Sequence, residues 1–80
     1  MRRVSTEAKL RDLIRRLAQD LECGDDVKIK LDRLDLLSLV PTYSIKHGLS
    51  MIDAREEGRG VVVVIKNRFG KKCEEREAMK

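Results

Sequence analysis

Two cysteines, one histidine and a dense set of arginines and lysines are the residues of this sequence best equipped for chemistry or for holding a charged ligand. A thiolate is both a nucleophile and a metal ligand, and its surroundings decide which form is present. Cys73 follows Lys71 and Lys72, whose charges favour the thiolate, and precedes Glu74 and Glu75, which oppose it. Cys23 stands one residue before Gly24, where a cysteine reads as a small apolar filler at a helix end. Cys73 and Cys23 are therefore the candidate thiols, and a disulfide between them is open. With His47 as the single histidine and no Cys-x-x-Cys spacing, they cannot assemble a zinc site within one chain, and no motif calls for another metal or a cofactor. His47, next to Gly48, suits the negative end of a helix. No serine has a nucleophile context and no acid–base pair stands out. The hairpin glycines are followed by no helix start, as a phosphate loop requires. The sequence is not expected to be an enzyme.

The cations admit two readings. Arg2, Arg3, Lys9, Arg11, Arg15 and Arg16 near one end, with Lys66, Arg68, Lys71 and Lys72 near the other, can form a basic face that neutralises phosphates. The alternative is an ion-pair surface, because charged residues make up 40% of the chain while the net charge is only +4. The scarcity of rings weighs against nucleic acid: Tyr43 and Phe69 are the only ones. Gln19 and Asn67 are the sole side-chain amides, and this charge-rich, amide-poor composition is that of proteins from hot environments.

Elements that can position these residues follow from periodicity. Leu10, Leu13, Ile14, Leu17 and Leu21 recur at helical spacing between Ala8 and Glu22. Ser5 or Thr6 can cap this helix and Gly24 can end it in the left-handed conformation. Its outer face is expected to carry ion-pair ladders four residues apart, Glu7-Arg11-Arg15 and Asp12-Arg16-Asp20. Val27 to Leu31 alternates as a strand. Asp32 or Asp35 then caps a second helix that ends at Gly48, kinked or restarted at Pro41. Leu49 to Arg55 and Val61 to Lys66 form a hairpin around Glu56 to Gly60. Val61 to Ile65 is apolar on both faces, which makes it an interior strand with helices on one side and a different covering, such as a partner subunit, on the other. Residues 1–68 form one domain and 69–80 a charged, flexible tail. The longest apolar run is Val61 to Ile65, so no membrane span is expected and the cytoplasm is the expected location.

The run Gly24-Asp25-Asp26-Val27-Lys28-Ile29, then Val40-Pro41-Thr42-Tyr43-Ser44, then Gly48-Leu49 leading into a hairpin with an acidic, glycine-containing turn, resembles the TusA/SirA sulfur-carrier family over roughly residues 8 to 67. The resemblance implies a two-layer α+β sandwich of order βαβαββ, a mixed sheet with two helices on one face. Where that family carries Cys-Pro at the start of the first helix, this chain has Thr6-Glu7-Ala8, and only Met1 to Ser5 precede it, so the first strand is expected to be missing or vestigial. An uncovered sheet edge then invites a second copy, which makes a homo-oligomer the expected state. The implied function is a non-catalytic protein acting through protein contacts, associated with sulfur transfer. The alternatives are a small basic nucleic-acid-binding protein and a sulfur carrier using Cys73 or Cys23.

Overall fold

The computed structural model describes residues 2–70 and 72–74. Along the chain run β1 (Arg2–Val4), α1 (Glu7–Asp20), β2 (Asp26–Leu31), a 3-10 turn (Leu34–Leu36), α2 (Leu39–Lys46), β3 (Leu49–Glu57) and β4 (Gly60–Asn67). This is a two-layer α+β sandwich in the expected order βαβαββ. Its mixed sheet has the spatial order β1-β2-β4-β3. The first strand is vestigial rather than missing. Arg2, Arg3 and Val4 pair in parallel with Ile29, Lys30 and Leu31, and Val4, 2% exposed, pins the strand to the core. The Asp32 N–H donates to the Val4 carbonyl at 2.9 Å, and the Ser5 hydroxyl donates to the Asp32 carboxylate at 2.9 Å.

Helix α1 forms where the leucine period predicts it, burying Leu10, Leu13, Ile14 and Leu17. Thr6, not Ser5, is the cap; its Oγ1 accepts from the Lys9 N–H at 3.2 Å. The helix stops at Asp20, and Leu21 is already extended, so the left-handed Gly24 belongs to the turn before β2 instead of ending the helix. The ladders four residues apart do not form among the described residues. Arg15 instead pairs with Asp12 three positions back at 3.6 Å, and Glu7 accepts a hydrogen bond from the Tyr43 hydroxyl. Exposed side chains at this spacing gain too little from one particular pairing to enforce it.

The segment expected to be one helix after Asp32 or Asp35 divides in two. A 3-10 turn ends at Leu36, and α2 starts after Ser38, which displaces both aspartates as the cap residue. Pro41 accounts for the division. As the third residue of α2 it lies in the first turn, where its missing N–H costs nothing; one turn deeper it would break a helical hydrogen bond. His47 is the C-cap residue, as expected at a helix end.

β4 is the interior strand. Its alternation sends Val61, Val63, Ile65 and Asn67 into the helix-covered core, beside Ile29 and Leu31 of β2 and Val40 of α2. The core is aliphatic throughout, and Tyr43 packs only part-buried against it. The hairpin reverses at Gly58-Arg59, pairing Glu57 with Gly60. β3 carries a bulge between Met51 and Asp53, beyond which every residue to Glu57 is exposed on both faces, so the helices cover the β4 arm of the hairpin but not this part of the edge strand. Among the described residues no helix is long and apolar enough to cross a membrane.

Candidate functional site

Three regions gather charged and sulfur-bearing residues; the first and third are assembled from distant parts of the chain, and the second from β1 and the helix that follows it.

The first is a clasp where β4 ends. Cys23 and Cys73 are joined as a disulfide, with their Cα atoms 4.8 Å apart, so neither candidate thiol is free in this state. The chemistry open to such a bond is thiol–disulfide exchange; Cys23 is half-buried, whereas Cys73 is 5% exposed. Asn67, wholly buried, joins three strands of chain around the bond. Its Nδ2 donates to the Leu21 carbonyl at 2.8 Å and its Oδ1 accepts from the Gly70 N–H at 3.0 Å. Its backbone carbonyl accepts from the Gly24 N–H at 2.8 Å. Gly48 lies so close to Phe69 and Gly70 that a Cβ on it would collide with their backbone, and its positive φ of 74° suits glycine alone. Across this contact the Phe69 N–H donates to the Gly48 carbonyl at 2.8 Å. Lys72 closes the arrangement with an ion pair to Glu22 at 2.9 Å. Phe69, Gly70 and residues 72–74 are thus held to the body, while Lys71 and residues 75–80 of the expected tail lie outside the described residues. Beside the clasp a concavity of about 670 Å³ opens between Ala18 and Gln19, the end of α2 at Lys46 and His47, and Phe69.

The second region is a groove of about 360 Å³ between β1 and α1, where Arg2 and Arg3 meet Lys9 and Arg16 over a floor of Val4 and Leu13. The expected single basic face is otherwise dispersed, because neighbouring helix positions point in different directions and the two ends of the chain occupy different places. Arg15 turns to Asp12, and Lys72 to Glu22. Arg68 stands over the Phe69 ring at 5.3 Å. Lys66 projects from the helix-free side of the sheet, as its pairing with Asp26 and Ser50 requires. Arg11 sits close enough to the Tyr43 hydroxyl to oppose the upward shift of its pKa, which arises first from the hydrogen bond to Glu7 and then from burial and the Glu7 charge.

The third is the helix-free face of the sheet. Val62 and Val64 lie half-buried at its centre. Lys28 on one side and Asp53, Arg55 and Glu57 on the other enclose them in a shallow groove of about 180 Å³. The two flanks differ in sign: β1 and β2 place Arg3, Lys28 and Lys30 against Asp26, whereas β3 places Asp53 and Glu57 against Arg55.

Among the described residues no group of three or more His, Cys, Asp or Glu is placed to hold a metal ion. Asn67 is the structural residue that the sequence reading passed over. A usable signal was present, since continuing the alternation of Val61, Val63 and Ile65 by one step puts the sole asparagine on the buried face. No protein-family model matches the chain, and no curated protein matches it either.

Proposed function

We propose that this protein works by contact and not by catalysis, as a small binding module of sulfur-carrier-like architecture. The observation that carries this reading is the helix-free sheet face, where an apolar centre is flanked by charges of opposite sign. An interior strand apolar on both sides is expected to be covered on both sides. The occupant that fits is a second copy of the chain. A two-fold axis running along β4 lays Val62 and Val64 over their counterparts and brings the lysine flank of β2 across the carboxylate flank of β3. On this reading the face of the sheet, and not its edge, is the surface for self-association. The edges are less suited: β1 occupies part of the β2 edge, and β3 carries a bulge and charges of the kind that discourage edge pairing.

Sedimentation velocity over a wide concentration range tests the reading. The expected result is a dimer that Lys28→Glu weakens and that Lys28→Glu combined with Asp53→Lys restores. A monomer at hundreds of micromolar, or a dimer indifferent to both changes, overturns it.

A role beside sulfur transfer comes with the TusA/SirA resemblance, and a carrier role for Cys23 or Cys73 has to start from the reduced chain. A disulfide in an amide-poor, charge-rich protein is also the combination found in organisms of hot environments.

A further inference from the structure

The groove between β1 and α1 is a separate feature from the sheet face. Arg2 arrives on the helix-facing side of a strand, with Arg3 at the rim on its other side, and Lys9 and Arg16 arrive on a helix, seven positions apart and hence on one side of it. Asp12 is the one carboxylate lining the groove, and it is engaged by Arg15 at 3.6 Å. Among the described residues none of the four cations is in an ion pair, although 14 acidic residues are available in the chain. Like charges gathered around a single carboxylate that is already engaged repel one another and raise the local positive potential, and a bound polyanion relieves that repulsion. The floor of Val4 and Leu13 is buried and fixed, so the cations are presented from a firm base.

We infer that this groove binds consecutive phosphate groups. Guanidinium forks from Arg2 and Arg16 can each take two phosphate oxygens, the Lys9 ammonium adds a point charge, and Arg3, on the opposite face of β1, adds its charge at the rim. A volume of about 360 Å³ matches a short run of phosphates and their linkers, and no ring lines the groove to stack a base. The ligand is therefore recognised by its charge spacing and not by its bases. Two sources offer that chemistry: a free polyphosphate chain, as on a nucleoside triphosphate, and the phosphodiester backbone of a single strand.

The test titrates the full-length protein with inorganic tripolyphosphate and, separately, with a labelled oligouridylate. If four phosphates are neutralised, oligouridylate affinity falls about 50-fold between roughly 50 and 200 mM salt. Replacing Arg2 and Arg16 together by glutamine should weaken whichever probe binds by at least tenfold at the lower salt. It should also reduce the oligonucleotide's salt slope by about half. The same replacement of Lys66 and Arg68, which lie elsewhere, should change binding less than threefold. Circular dichroism confirms that both variants are folded. Groove-dependent binding of either probe supports the site, and the tighter of the two assigns the source. The inference is overturned if neither probe binds at low salt, or if the groove variant binds as well as the Lys66 and Arg68 variant.

Discussion

Where β4 ends, polar groups have each been given a partner: the buried Asn67 amide, the Gly24 and Gly70 N–H groups and the Phe69 N–H are all hydrogen-bonded around a covalent bond. Along β1, by contrast, Arg2, Arg3, Lys9 and Arg16 stand in water, and among the described residues none has an ionic partner. The first region holds the fold, because a buried polar group that loses its partner bears the full cost of desolvation. The second can change its charges at little cost to stability, and this freedom is what a ligand site needs.

The largest effect that can break this contrast is reduction of the disulfide. It closes a loop of 50 residues, so reduction, or Cys73→Ser, should cost about 4 kcal/mol of unfolding free energy. Urea titration with and without dithiothreitol measures this, and a difference below about 1 kcal/mol would remove the clasp from its structural role. Next comes Asn67→Ala, which leaves the Leu21 carbonyl and the Gly70 N–H without the side-chain partner each now has. The expected loss is about 3 kcal/mol by the same titration under oxidising conditions. Its effect should be smaller in the reduced chain, since residues sharing one network are not additive.

Ser44→Ala probes the packing of α2 against the core. The Ser44 hydroxyl is buried with no hydrogen-bond partner among the described residues, so its removal should be neutral or stabilising by about 1 kcal/mol in thermal unfolding. At the groove, Arg2→Gln with Arg16→Gln should shift stability by no more than about 0.5 kcal/mol. A clear loss there would mean that the cations hold β1 in place.

The smallest expected effect is spectroscopic. The Glu7 carboxylate accepts from the Tyr43 hydroxyl and so favours the neutral phenol, which raises its pKa. A raised folded-state pKa means that the contribution to stability is present below the ordinary tyrosine range and lost as pH rises through the raised value. Tyr43 is the only tyrosine and there is no tryptophan, so absorbance at the tyrosinate band reports it alone. Glu7→Gln should move the midpoint down, and an unchanged midpoint would show that the hydrogen bond does not form in solution.

Much of the fold is legible in the sequence. The α1 stripe, the β2 alternation, the Gly-containing hairpin and the two-sided apolar β4 are repeats of 3.6 or 2 residues, and such repeats state which side chains share a face. Helix boundaries were less legible. Whether Gly24 ends a helix or only turns the chain depends on Asn67, which accepts its N–H from the far end of the sequence. Of the candidate site residues, the sequence named the cations but not which of them meet.

That division has a physical cause. Local spacing alone determined the sequence of elements, their buried faces and the aliphatic character of the core, because burial follows the geometry of a single helix or strand. The pairing of Cys23 with Cys73, the latching role of Asn67, and the separation of Arg2, Arg3, Lys9 and Arg16 from the other cations were decided only by the tertiary structure. Each depends on which distant segments the sheet order β1-β2-β4-β3 brings together, and no spacing along one segment encodes that.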